Sequence, residues 1–400
     1  MPKLTIINQQ YPPEVAATGQ IFRAMAEHMR RAGFDVTVVT GTPYYPGQTR
    51  KAKRCEVMNG VLVRRLWNTT FSKKSFVGKL LNLLSFEASL FFHCIFCIGK
   101  EQTVLVATAP PMAVLCAAVG RFFRRYRTVM TVQDLYPDVL AASGMSDPAK
   151  LTYRLLKSLM RRAMRACDRV VTISTDMRAY LETEYGLPRV ELIPNLFPET
   201  IRSVDNAQIK AELGFSGKLV VQYSGNFGVA HEYQTLLEAV RALSGGDSGV
   251  IFQVAGAGRN YDALRAACGA EGLSGVIFEG YAPADKLEWR LCTADISVVV
   301  LSREFRDVLL PSKYYGILAS GRGVLLISGC ESDISRDIAE HGVGIAFDHG
   351  EGERIAGMLR ELANKPEGLR AMGERARALY DQEYAQETIL AAYQALLSEG

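Results

Sequence analysis

The chain has 400 residues, 48% of them hydrophobic and 22% charged, with a formal net charge of +4. That length and balance suffice for two buried cores and argue against a disordered chain. The charge is uneven: residues 1–195 hold 27 Lys and Arg against 14 Asp and Glu, and the remainder 19 against 28, so the first half is suited to anionic partners.

The opening Met1-Pro2-Lys3-Leu4-Thr5-Ile6-Ile7 lacks the cationic segment, long apolar run and small-residue cleavage site of an export signal. It reads as the first strand, over 3–8, of a cytoplasmic protein. The loop Gln9 to Gly19 follows, then a helix from about Gln20 to Arg31. Further strands are expected at 36–40, 61–66, 103–107, 128–132, 169–173 and 190–193, alternating with helical segments as in a parallel sheet. The loops after them carry Tyr44 and Tyr45, Pro110, and Asp134 and Asp138. In open α/β sheets ligands bind beyond the carboxyl ends of strands, so these loops should line one rim.

The segment Phe76 to Ile98 is long enough to span a bilayer, yet holds Lys79, Asn82, Glu87 and His93. A charge at mid-membrane costs at least ~2.5 kcal/mol, which argues against spanning. Two readings stay open: a helix lying on a membrane surface, or an unusually apolar core helix. The basic clusters Arg50/Lys51/Lys53/Arg54, Arg121/Arg124/Arg125/Arg127 and Lys157/Arg161/Arg162/Arg165 suit anionic lipid. Nucleic acid is not expected, since no recognisable nucleic-acid module is present. The eight cysteines read as reduced packing residues; the close pair Cys94 and Cys97 has only His93 beside it, so no metal site is expected.

Ile193-Pro194-Asn195-Leu196-Phe197-Pro198 breaks the pattern and marks a hinge. After a short helix near 206–213, strands are expected at 219–223, 250–255, 276–279, 296–301 and 324–327, with a last amphipathic helix at 385–397. The expected division is 1–195, 196–382 and a helix in 383–400 returning to the first domain. Each half opens with a buried strand, a glycine-bearing turn and a helix, a way to hold phosphate at a helix N-terminus. The fold class is α/β, with two Rossmann-like domains facing a cleft.

The landmarks form an ordered set: Gly19, Ile193-Pro194-Asn195, Tyr223-Ser224-Gly225-Asn226-Phe227-Gly228, Val254-Ala255-Gly256-Ala257-Gly258, Gly280-Tyr281-Ala282-Pro283 and Leu310-Pro311-Ser312-Lys313 running on to Gly321. In this the whole chain resembles the retaining GT-B glycosyltransferases of family 4, in particular the bacterial branch with a Pro-Ser-Lys motif that builds polysaccharides and lipopolysaccharide O-antigens. The resemblance implies a nucleotide-sugar donor, UDP favoured, held by the second domain. Gly19, Gly225, Asn226, Phe227 and Gly228 would meet its diphosphate, with Arg259, Ser312 and Lys313 adding cations and a hydroxyl; Tyr281 and Ala282 would meet the base. The acceptor would lie on the first domain near Tyr44, Tyr45, Pro110 and Asp138.

Two departures stand out. Asn226 and His231 occupy positions where many members carry Arg and Lys, which leaves Lys313 as the leading cation, with Arg259 or Arg303 as helpers. The family's paired glutamates, separated by seven residues, fall near Val308 and Gly316, so the ribose and donor-sugar contacts are unassigned. No Asp-x-Asp tripeptide occurs, and no metal or other cofactor is expected. Negative charge develops on the leaving diphosphate and calls for preorganised N–H groups and a cation. With retention, that phosphate can take the acceptor proton; with inversion, a carboxylate such as Asp134 or Asp138 must act as base. The expected acceptor is a lipid-linked diphosphate glycan, met by a peripheral enzyme at the inner face of the plasma membrane. The rival readings are a sugar-nucleotide epimerase and a non-catalytic scaffold of a polysaccharide complex.

Overall fold

The structure, a computed structural model, describes residues 1–14, 16–43, 52–72, 75–198, 200–246 and 248–399. The chain divides into two compact units, Met1–Pro198 with Gln386–Gly400, and Glu199–Ala385. Tyr44, Tyr45, Arg50, Lys51, Lys73 and Lys74, singled out above, lie outside the described residues.

The first unit runs β1 (Lys3–Ile7), α1 (Ala17–Arg31), β2 (Asp35–Thr40), β3 (Cys55–Met58), β4 (Val61–Arg65), α2 (Phe76–Phe96), β5 (Thr103–Ala107), α3 (Ala113–Arg124), β6 (Arg127–Val132), α4 (Asp138–Ala142), α5 (Leu151–Arg165), β7 (Arg169–Thr172), α6 (Thr175–Thr183) and β8 (Glu191–Leu192). Its sheet has the order β3-β4-β2-β1-β5-β6-β7-β8, parallel apart from the β3–β4 hairpin. Central strands such as Val104-Leu105-Val106 are buried on both faces, which explains their unbroken apolar runs. In α1 the buried Ile21, Phe22, Met25, Ala26 and Met29 recur at helical spacing and join the core of this sheet.

The second unit runs α7 (Ala207–Glu212), β9 (Leu219–Asn226), α8 (Gln234–Leu243), β10 (Val250–Ala257), α9 (Arg259–Ala270), β11 (Val276–Glu279), α10 (Leu287–Cys292), β12 (Ile296–Leu301), α11 (Lys313–Ala319), β13 (Gly323–Ser328), α12 (Asp333–His341), β14 (Gly344–Phe347), α13 (Gly352–Ala363) and α14 (Pro366–Leu379). Its all-parallel order, β11-β10-β9-β12-β13-β14, is the doubly wound arrangement that reverses direction between β9 and β12. The last helix, α15 (Gln386–Ser398), belongs to the first unit. There Tyr393 shares a 2.9 Å hydrogen bond with Thr131 and packs into the same core as α1.

α2 is a core helix along one face and leaves a second, apolar face exposed. Phe86, Leu90 and Cys94 are fully buried and Glu87 and His93 nearly so, along one stripe. Leu80, Leu81, Leu84, Phe91, Phe92 and Phe96 are exposed along the other.

Candidate functional site

The reversal point of the second sheet is where the chain opens. β9 and β10 stay paired from Leu219 to Asn226, whereas β12 meets β9 only at Ile296 and Ser297. The carboxyl halves of β9 and β12 therefore part, and a doubly wound fold takes its ligand at such a crevice.

Lys313, the first residue of α11, reaches into this place. Its Nζ is buried with no hydrogen-bond partner among the described residues, and sits 3.5 Å from the centre of the Tyr223 ring. A Cβ at Gly225 would lie 3.8 Å from that nitrogen, in ordinary contact, so Gly225 borders the same place. A desolvated cation–π contact contributes about 2 kcal/mol, less than the several kcal/mol that burying an ion costs. Burial accordingly holds the ammonium well below its ordinary pKa.

His231 does not supply a second cation. It is buried, its Nδ1 donates to the Val300 carbonyl at 2.6 Å, and burial, with Lys313 nearby, lowers it to about 3. The ring is neutral and ties β12 to the loop after β9.

Several expected phosphate contacts take other roles. Ser224 to Asn226 are strand rather than turn, because Gly225 and Gly256 lie directly opposite and let β9 and β10 stay paired to their ends. Phe227 is fully buried and stacked on Tyr223 at 4.1 Å; its N–H donates to the Ala257 carbonyl and its own carbonyl accepts from Asn260. The N-terminus of α8, expected to face phosphate, is already occupied: Glu232 accepts from the N–H groups of Gln234 and Thr235 and lies 3.4 Å from His349 Nδ1. Burial raises the Glu232 pKa, but the His349 hydrogen bond and those N–H groups outweigh it and bring it below the usual carboxylate range. Sequence reasoning missed Glu232 and His349; only the carboxylate two residues before a helix hinted at a cap.

Ser312 is exposed at the N-cap of α11 and makes no capping hydrogen bond; Arg259 is exposed at the start of α9 and Asn226 at the end of β9. Gly228 accepts from His231 N–H and Asn260 Nδ2. Tyr281, 60% exposed, and the half-buried Ala282 occupy the loop after β11. A hollow of about 820 Å³ lies instead at the amino end of this sheet, where Lys210, Asn206 and Asp295 satisfy one another.

The first unit presents its own rim. Gly19 packs in the first turn of α1 so tightly that a Cβ would come within 3.3 Å of the Gln10 carbonyl. Pro110 is buried after β5. Asp134 follows β6, and burial raises its carboxyl to about 6. Beside it Gln133 Nε2 donates to Asn195 Oδ1 at 2.9 Å, while Gln133 Oε1 and Asn8 Oδ1 are buried acceptors without a partner among the described residues. Asp138 is a correction to the acceptor-side assignment. It is 4% exposed, and its carboxylate accepts from Tyr153, Tyr180, Tyr185 and Lys157. That bond set ties α4 to α5 and α6 and leaves Asp138 no capacity as a base or acceptor contact.

Residues 17–195 match the family model described as a glycosyl transferase 4-like domain. The chain is 24% identical over 400 aligned positions to WcaI of Escherichia coli (strain K12), provisionally named a colanic acid biosynthesis glycosyl transferase, covering 95% of this chain and 97% of that one. Among solved structures, sucrose-phosphate synthase of Thermosynechococcus elongatus aligns with a TM-score of 0.77 at 15% identity, over 99% and 98% of the two chains. HepE of Anabaena, solved with UDP and glucose, aligns over the whole of both chains with a TM-score of 0.71 at 16% identity.

Proposed function

For a chain that is a glycosyltransferase of the GT4 type with the GT-B fold, we propose transfer of a sugar from a nucleoside diphosphate sugar to a lipid-linked glycan, in the building of a cell-surface polysaccharide. UDP is the favoured nucleotide, in keeping with the UDP complex of the HepE neighbour. The polysaccharide role accords with the name of the WcaI relative. One observation carries the reading: a buried, unpartnered ammonium at the reversal point of a doubly wound sheet. A diphosphate is the ligand that such a group lacks.

In this reading Lys313 stabilises the charge that grows on the leaving diphosphate, and no metal is needed for it. The transfer retains configuration, the departing phosphate taking the proton of the acceptor hydroxyl. Asp134, poised near 6, is the carboxyl that would serve if configuration inverted. The acceptor is met at the cytoplasmic membrane surface. Support comes from the exposed stripe of α2 and from Phe122 and Phe123 at the end of α3, 81% and 57% exposed. Gly120 of α3 packs against Cys94 of α2, so these aromatics share one end of the helix pair with Phe92 and Phe96.

The test is nucleoside diphosphate release from UDP-sugars by the purified protein, with and without a lipid-linked acceptor and with a chelator present. Acceptor-dependent UDP release that survives chelation, with a product of retained anomeric configuration, is expected. No release under any condition would point to the scaffold reading, and isomerised donor without release to the epimerase.

A further inference from the structure

Three strand ends of the first unit converge on a small hollow that the donor chemistry does not use. Gln9 and Gln10 follow β1, Thr42 follows β2 and Asn68 follows β4, while Lys79, Asn82 and Leu83 come from the first turns of α2. These are carboxyl ends, the rim where an α/β sheet takes ligands. The space is about 190 Å³, below the roughly 300–1,000 Å³ of sites for drug-sized molecules and suited to a single ring.

Its walls are braced by their own amides. Asn68 Oδ1 accepts from Thr42 N–H at 2.6 Å and its Nδ2 donates to the Thr69 carbonyl. Asn82 Oδ1 accepts from Thr69 Oγ1 and Phe71 N–H, and its Nδ2 donates back to the Phe71 carbonyl. Gln10 Oε1 is held by Thr18. What remains for a ligand is the Gln9 carboxamide, Gln10 Nε2 and the Lys79 ammonium, none of which has a side-chain partner among the described residues. Leu83 adds one apolar surface, and Glu14 adds a carboxylate at the same hollow.

We propose that this hollow binds one pyranose unit of the acceptor, carrying a single anionic group that pairs with Lys79. Carboxamides suit ring hydroxyls, and Leu83 suits the C–H face of the ring. The anion is either the phosphate through which a glycan joins its lipid or the carboxylate of an acidic sugar. The subsite rests on the glycosyltransferase reading for its role as an acceptor site, but its occupancy can be measured without turnover.

Saturation-transfer NMR on the full chain, with α-glucose 1-phosphate, methyl glucuronide, methyl glucoside and inorganic phosphate as probes, tests it. At least one sugar anion should bind more tightly than both the neutral glucoside and free phosphate, and which one binds identifies the source of the charge. Lys79→Gln should weaken that binding at least tenfold and Gln10→Ala several-fold, with UDP affinity unchanged in both. Equal binding of phosphate and sugar phosphate, or wild-type affinity in Lys79→Gln, overturns the subsite. Sugar-anion binding without any UDP binding would sink the donor reading and leave the subsite standing.

Discussion

A buried ammonium without a counter-ion is a liability that loss of its proton or an anionic ligand relieves, and Lys313 shows both sides of this. In the free protein burial depresses its pKa. Its unfolded value is the ordinary one, so at neutral pH the unfolded chain binds the proton more readily and Lys313 reduces stability. Replacing it by methionine, of similar length and uncharged, should raise the melting temperature of the ligand-free protein by about 2–4 °C for each kcal/mol relieved. The same variant should lose the thermal shift that UDP gives the wild type. A diphosphate reverses the environment and raises the pKa, so binding should take up protons, and affinity should fall as pH rises past the free-state pKa. Calorimetry of UDP binding in two buffers of different ionisation enthalpy measures that uptake. A melting temperature below wild type for Lys313→Met, or proton-neutral binding, contradicts the assignment. This lysine was legible because the Pro-Ser-Lys motif marks it. The neutral state of His231 and the saturation of Asp138 were not, since both depend on partners far away in sequence, Val300 for one and Tyr180 and Tyr185 for the other.

The β9–β10 pair stays in register to Asn226 and Ala257, and two facing glycines make it possible. Gly256 has φ +138°, and a Cβ there would lie 2.0 Å from the Gly225 carbonyl oxygen. Gly256→Ala should force the strands apart and lower stability by roughly 3 kcal/mol, the strain of a disfavoured φ adding to the clash; a urea midpoint within error of wild type would refute this. Most strands were legible from their apolar runs, but the ends of β9 and β10 were not, because glycine there reads equally as a turn. β3 and β14 escaped notice for a similar reason. Cys55–Met58 alternates only weakly, and its signal was the Asn59-Gly60 turn, with φ of 48° and 81°. β14, Gly344–Phe347, is a short edge strand. Between α2 and α3, Glu87 is buried, accepts from Met112 N–H at 3.1 Å and touches Cys116, and burial raises its carboxyl to about 7. A carboxyl whose folded pKa exceeds its unfolded one makes stability fall as pH rises from about 4.5 to 7. Glu87→Gln mimics the protonated form, so it should stabilise the protein by roughly 3 kcal/mol at pH 8 and by much less at pH 5. Denaturation curves at the two pH values decide it, and an equal effect at both would remove the titration argument.

Over the chain as a whole, the uneven charge coincides with the uneven exposure of apolar side chains. α3 and α5 carry Arg121, Arg124, Arg154, Lys157, Arg161, Arg162 and Arg165 with no acidic residue on either helix. α5 also leaves Leu151, Leu155 and Leu159 exposed. Solvated lysines and arginines alone would be an ordinary surface, and isolated exposed phenylalanines an ordinary exception. Both together, on packed neighbouring helices, match the chemistry of an anionic bilayer surface, where each cation contributes about 1 kcal/mol and buried rings add the hydrophobic term. The two contributions respond differently to salt. The wild type should sediment with vesicles containing anionic phospholipid and not with purely zwitterionic ones, binding less as ionic strength rises. Phe122→Ser with Phe123→Ser should reduce the binding that survives at high salt by several-fold, while Arg124→Gln with Arg125→Gln should reduce chiefly the low-salt component. Neither pair should alter UDP affinity, because both belong to the first unit and the Lys313 ammonium proposed to meet the nucleotide belongs to the second. Equal sedimentation with both vesicle types, or none with either at low salt, would leave the exposed aromatics without a membrane role.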